Sequence, residues 1–257
     1  MYNEHRTRPA DNSTDLIFGI RPIQEALSSS KSLEKILVRK GAQNQIIQEI
    51  IDMARRARVP IQVVPEEKLN RLTRKNHQGV IGFLSPIEFH SLSAVITDLF
   101  ERGESPFLVV LDGVTDVRNF GAIVRSVECL GAHSVIVPIK GAARMGDDAM
   151  KTSAGALFKV PVCREPKLDN TITYLKQSGL HIVACTEKGT QSAYDMKLEG
   201  PVALVMGSED EGISPEVLAQ CDQMVYIPMI GEIGSLNVSV ATGIMLSEIA
   251  RRRTTNE

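Results

Sequence analysis

The sequence predicts an α/β protein in two parts: a small N-terminal α/β domain and a larger C-terminal domain with a mainly parallel sheet and helices on both faces. Three observations carry this. Short apolar runs alternate with amphipathic helical stretches along the chain. Runs such as FLVVLD and VALVM are continuously apolar, as strands buried on both faces must be. Finally, 257 residues with 43% hydrophobic and 23% charged side chains can bury a real core in one large domain or two ordinary ones. That composition excludes a collagenous, coiled-coil or wholly disordered chain.

In order, residues 1–15 are polar and read as a flexible arm. IRPIQEALSS spaces Ile20, Ile23 and Leu27 as a helix does. KILVR reads as a strand, and QNQIIQEIIDMARRARV as an amphipathic helix with Ile46, Ile47, Ile50, Met53 and Ala54 on one face. IQVV is a strand, EEKLNRLTR a short helix and GVIGFL a strand, giving a domain over 16–90. The stretch 91–106 carries one more helix, AVITDLF, and reads as a linker through ERGESP. The second series, 107–257, opens with the strand FLVVLD, a helix around AIVRSVECLG and the strand SVIV. After TSAGALF come a helix around NTITYLKQSG, the strands HIVAC and VALVM, a short helix near PEVLAQ, the strand MVYI and a last helix from Asn237.

Several function classes fall away. No apolar run approaches the roughly 20 residues of a membrane span. The N-terminus MYNEHRTRPADNST lacks the apolar core of a signal peptide, so a cytoplasmic location is expected. The four cysteines, Cys129, Cys163, Cys185 and Cys221, form no C-x-x-C pair, and the five histidines are scattered, so neither disulfides nor a metal site is expected. No phosphate loop, G-x-G-x-x-G or G-x-S-x-G motif is present.

The formal net charge of −2 argues at first sight against a nucleic-acid partner. Its distribution does not. Up to Asn76 there are 14 lysines and arginines against 9 acids, whereas from Ser105 onward there are 14 against 18. The N-terminal basic residues bunch at Lys31–Lys40, Arg55–Arg58 and Lys68–Lys75, where they can meet phosphate.

In sheets of this kind, ligands bind beyond the carboxyl ends of the strands. Three segments at those ends are rich in small and polar residues: LDGVTDVRNFGAIVR, VMGSEDEGIS and IPMIGEIGSLNVSVATG. Their glycines let main-chain groups approach a flat ligand. Taken singly, the polar residues have ordinary roles. Arg125, pointing away from the apolar stripe of its helix, suits an i,i+3 pair with Glu128. Asn119 suits a turn or cap, Glu209 a solvated turn, and Asn237 with Ser235 a helix cap.

Together, the three segments resemble the three motifs of the SpoU (TrmH-type) branch of the SPOUT RNA methyltransferases, in the same order and spacing from about Phe107 to Ala250. KTSAGALFKVPV resembles the connecting segment of that branch, and FGIRPIQEAL with NHQGVIG resembles its substrate-binding domain, whose fold is like ribosomal protein L30e. The resemblance is closest to the group that methylates a guanosine 2′-hydroxyl of 23S rRNA. It implies a deep trefoil knot in the C-terminal domain, S-adenosylmethionine as cofactor and a homodimer. Carried over by position, Met206, Gly207, Ile227, Ser235 and Leu236 are expected at the cofactor, and Asn119, Arg125, Glu209 and Asn237 at the reacting ribose. RNA is the expected partner. The alternatives are a tRNA ribose 2′-O-methyltransferase of the same branch and a non-catalytic ribosome-assembly factor. Two departures stand out, Asp147 with Asp148 and Glu232, all more acidic than is usual in the branch.

Overall fold

The computed structural model describes residues 16–29, 31–42 and 44–255. The arm expected over 1–15 lies outside them. The chain divides into two compact units, 1–85 and 86–257.

In the first unit the strands β1 (Leu16–Phe18), β2 (Leu33–Arg39), β3 (Ile61–Val64) and β4 (Val80–Leu84) form one sheet in the order β1-β4-β2-β3. β1 and β2 run antiparallel to β4, and β3 runs parallel to β2. The helices α1 (Ile20–Ser28) and α2 (Gln45–Arg56) lay Ile23, Ala26, Ile47, Ile50 and Ala54 against one sheet face. Ile46, expected on that apolar face, is instead exposed, because the three-four spacing of Ile47, Ile50 and Ala54 already fills it. Asn44 starts α2 by accepting the Ile46 N–H at 3.0 Å. A Cβ at Gly82 would sit 2.7 Å from Ile23 Cδ1, so glycine there lets α1 lie close on β4. The short α3 (Glu66–Leu72) covers the other face through Leu69, against Leu37, Val64 and Ile81.

The second unit is an eight-stranded sheet in which every recorded pairing is parallel. Its strands are β5 (Phe89–His90), β6 (Phe107–Asp112), β7 (Ser134–Pro138), β8 (Val162–Glu165), β9 (His181–Cys185), β10 (Gln191–Ser192), β11 (Val202–Gly207) and β12 (Gln223–Tyr226), in the order β10-β12-β9-β11-β6-β7-β8-β5. On one face α5 (Val117–Cys129), α6 (Asp147–Thr152) and α9 (Val238–Thr255) pack over Val109, Leu111 and Leu204. On the other, α4 (Leu92–Glu101), α7 (Leu168–Gln177) and α8 (Pro215–Leu218) pack over Leu108, Val110 and Val205. Central strands covered on both sides explain the unbroken apolar runs.

Two expectations change here. The stretch 91–106 is no free linker: Leu92, Ile96 and Leu99 of α4 are buried in the core of the second unit. Ile87, Phe89 and His90, read with the first domain, also belong to the second, where Ile87 enters the core and β5 pairs with β8. β8 itself goes unread in the sequence because VCRE ends in two charges. Both are buried, at 6% and 7% exposure, with the Arg164 guanidinium 3.3 Å from the Phe89 ring centre. Asp147 and Asp148 occupy the first turn of α6, where carboxylates suit the positive end of the helix dipole.

Candidate active site

Because the sheet is parallel, the loops after β6, β9, β11 and β12 leave the same edge. β6 and β11 are neighbours with Gly207 opposite Asp112, and β9 lies between β11 and β12. The three glycine-rich segments are therefore brought together by topology, though up to 118 positions separate bonded residues.

Each loop is fixed locally. Asp116 caps α5 by accepting the Arg118 and Asn119 N–H groups at 2.9 and 2.8 Å. Asp112, at the end of β6, accepts the Ser214 N–H at 2.8 Å and its hydroxyl at 2.6 Å, tying the first loop to the second. Within the second loop, Ser208 and Gly212 exchange backbone hydrogen bonds of 3.1 Å. A Cβ at Gly207 would lie 2.2 Å from the Gly212 carbonyl carbon, so only glycine fits beneath this tight turn.

Asn119, Glu209 and Asn237, one from each loop, form a closed triangle. Asn237 Nδ2 donates to Glu209 Oε1 at 2.6 Å and to Asn119 Oδ1 at 2.9 Å, while Asn119 Nδ2 donates to Glu209 Oε1 at 3.1 Å. Glu209 Oε1 also accepts the Val238 N–H at 3.1 Å. Asn237 still caps α9, its Oδ1 accepting the Ser239 N–H at 3.0 Å. The cap role and the site role thus coexist, since the amide oxygen serves the helix and the amide nitrogen serves the triangle.

A cavity of about 360 Å³ opens at this edge, within the range of small-ligand sites. Met206, Gly207, Ile227, Ser235 and Leu236, the five expected cofactor contacts, all line it, and so does Glu209. A larger hollow of about 580 Å³ lies at the amino ends of β7 and β8, rimmed by the ion pairs Arg102–Asp98 and Lys159–Glu128. We assign the ligand site to the smaller cavity, because the second and third motif loops line it and Glu209 joins it to the polar triangle.

Arg125 stands apart. It is exposed on α5, does not line the cavity, and makes no hydrogen bond or ion pair with the described residues. The i,i+3 pair with Glu128 is not formed. Glu128 instead accepts from Lys159 Nζ at 2.9 Å, and this hydrogen bond and charge hold its carboxyl below the usual range.

The end of β9 contributes residues that no sequence motif marks. Cys185, Thr186 and Glu187 line the cavity. The rule that ligands gather at carboxyl strand ends applied to HIVAC as well, but no glycine run drew attention there. Burial, with the Glu187 charge beside it, pushes the Cys185 thiol up to about 12. It is protonated at neutral pH and does not offer a thiolate nucleophile.

The model of the SpoU rRNA Methylase family matches residues 106–247, and that of RNA 2′-O ribose methyltransferase substrate binding matches 16–90. The chain is 35% identical to the 23S rRNA (guanosine-2′-O-)-methyltransferase RlmB of Photorhabdus laumondii, over 93% of this chain and 99% of that one. A Bacillus subtilis protein named at the level of a TrmH family tRNA/rRNA methyltransferase is 31% identical over 93% and 96%. Among solved structures, the SpoU methyltransferase AviRb from Streptomyces viridochromogenes, in complex with AdoMet, aligns with a TM-score of 0.60 at 25% identity, covering 93% of this chain and 90% of that one.

Proposed function

The chain belongs to the SpoU rRNA methylase family, and from that premise we propose that it transfers a methyl group from S-adenosylmethionine to a ribose 2′-hydroxyl of RNA, a guanosine of 23S rRNA. The observation that carries this is a cavity lined by the second and third motif loops, with the first loop tied to its wall through the Asn119–Glu209–Asn237 triangle.

The residues present fit the cofactor. Met206, Ile227 and Leu236 offer an apolar wall for a flat ring, glycine-rich backbone offers polar groups to read its edge, and Glu187 and Glu209 offer negative charge to a cation. When bound, the sulfonium cofactor supplies an electrophilic methyl group. The remaining work is to hold the hydroxyl in line, so that its oxygen bonds to carbon as the carbon–sulfur bond breaks, and to manage the departing proton. A guanidinium offers donors and no acceptor, so Arg125 is not assigned the role of base. Its role is to clamp the adjacent phosphate and stabilise charge developing on the ribose oxygen. Asn237 and Glu209 orient the ribose. With no described partner of its own, Arg125 is available for this task.

The rRNA reading is supported by the N-terminal unit, which matches a substrate-binding model, and by the alignment of the whole chain with nearly the full length of a 23S rRNA enzyme. We infer a homodimer and a knotted C-terminal segment on the same family grounds. The test is labelled methyl transfer to naked 23S rRNA, pre-ribosomal particles and bulk tRNA, followed by mapping of the modified nucleotide. Labelled rRNA is expected, and labelled tRNA with unlabelled rRNA would overturn the substrate assignment. Arg125→Ala should lower turnover by at least about 100-fold with cofactor affinity unchanged in isothermal titration. Near-normal turnover would remove Arg125 from the mechanism, and absent cofactor binding in the parent chain would favour a non-catalytic assembly factor.

A further inference from the structure

In sequence, the N-terminal unit carries three basic clusters of similar density. The sheet topology sorts them and divides the first: Lys31 and Lys35 fall at the start of β2, the far end, while Arg39 and Lys40 stand at its finish. Phe18 of β1 pairs with Ile81 and Val38 of β2 pairs with Val80, so β1 and β2 both finish where β4 begins. β3 is parallel to β2, with Arg39 opposite Val64, so it finishes at that end too. The excursion through α3 and back to Val80 starts and ends there. Arg21, Arg39, Lys40, Lys68, Arg71, Arg74 and Lys75 are consequently gathered at one end of the sheet, against Glu66 and Glu67 alone in the same loops and helix starts. All seven cations are exposed. Arg39 pairs with Glu66 at 3.3 Å and Lys75 stands over the Phe18 ring, but Arg21, Lys40, Lys68, Arg71 and Arg74 make no ion pair with the described residues. Arg55 and Arg56 close the C-terminal turn of α2 and Arg58 follows it, at the opposite end, and there Arg55 is already paired with Asp52 at 3.3 Å.

The loop at the basic end is held from both sides. Buried His77 accepts the Gly79 N–H on Nδ1 at 3.0 Å, so its proton sits on Nε2, facing Asn70 Oδ1 at 3.0 Å. Gln78, at φ 52°, turns its side-chain oxygen to accept the Ile20 N–H at 3.0 Å, joining the loop to the start of α1 beside Arg21. The cations thus project from a braced frame, and phosphates can be met without first ordering the loop.

We propose that the RNA-contacting surface of the N-terminal unit is this sheet end, with Arg21, Lys40, Arg74 and Lys75 on backbone phosphates, and that the Arg55–Arg58 cluster takes no part. The inference rests on the RNA reading above and adds the face that meets the RNA. Five unpaired cations make the contact electrostatic, so it should weaken steeply with salt.

The test is filter binding of the full chain to bulk 23S rRNA from 50 to 200 mM salt. The triple variant Arg21→Gln/Lys40→Gln/Arg74→Gln removes cations without internal partners, so its melting temperature should match the parent. Its affinity is expected to fall at least about tenfold, and its log–log salt slope to shrink by about 2, since each lost phosphate contact is worth roughly 0.7–0.9. Arg55→Gln/Arg56→Gln should change neither. A triple variant that binds like the parent, or an Arg55→Gln/Arg56→Gln variant that weakens binding more, overturns the assignment of the face alone. Failure of the parent to bind rRNA at all overturns the RNA reading with it.

Discussion

The two units use the same kinds of element to different ends. In the C-terminal unit the sheet is parallel and its central strands are buried end to end, as in β6 and β11. Polar chemistry is thereby confined to the loops at one edge, where each atom has a fixed place. In the N-terminal unit the sheet is mixed, β3 is half exposed, and the informative groups are cations spread over several loops. A built cavity should respond sharply to single changes, whereas a charged surface should respond in proportion to the charges removed.

Gly207→Ala tests the sharp side hardest. The added methyl meets the Gly212–Ile213 backbone, which has no rotamer by which to escape, so strain of about 1–3 kcal/mol falls on the cavity wall. Isothermal titration should find cofactor affinity reduced on the order of 100-fold, equivalent to about 2.7 kcal/mol. Tolerance there would mean the loop is not the fixed frame described.

Asn237→Ala removes the α9 cap and two hydrogen bonds of the triangle together. A stability loss of about 1–2 kcal/mol, seen as a fall in melting temperature of a few degrees, should accompany the loss of turnover. Asn237→Asp retains the cap and separates the two effects: stability should largely return while turnover does not, because a carboxylate is set against Glu209.

On the other unit, Lys40→Gln alone should cost only about two- to threefold in RNA affinity, an effect that fades by 200 mM salt. A single N-terminal change as damaging as Gly207→Ala would break the contrast between the two units.

The smallest expected effect concerns pH. His133 accepts the Phe107 N–H on Nδ1 at 2.9 Å, and burial holds its pKa below the ordinary 6.5 despite Glu104 beside Nε2. Between the lowered value and 6.5 the unfolded chain binds more protons than the native one, so stability falls as pH drops through that window. His133→Asn keeps an acceptor for Phe107 and should flatten that slope in denaturant titrations at pH 5.5 and 7.5, leaving RNA affinity unchanged. An unaltered slope would show that His133 is not the group responsible.

Much of this was legible in the chain. Patterning marked most helices and strands, because amphipathic and fully buried runs leave distinct periods. The three motif segments marked the candidate site, because glycines let backbone approach a ligand and the polar residues between them can meet it. β1, β5, β8 and β10 were not legible: three are only two or three residues long, and β8 ends in a buried arginine and glutamate that read as surface. The boundary of the second unit was hidden for a related reason, since Ile87 and α4 look like any short apolar stretch until the core they enter is known.

The sequence by itself determined the α/β class, the three motifs and the asymmetry of charge, all properties of local order and composition. Only the tertiary structure decided that Asn119, Glu209 and Asn237 share hydrogen bonds, that Cys185 and Glu187 face the same cavity, and that Arg39 and Lys40 join the Lys68–Lys75 cluster while Arg55–Arg58 are sent to the far end. Those are consequences of strand order and direction. Parallel pairing brings distant loops to one edge, and the antiparallel return of β4 sets the end of the sheet at which each loop emerges.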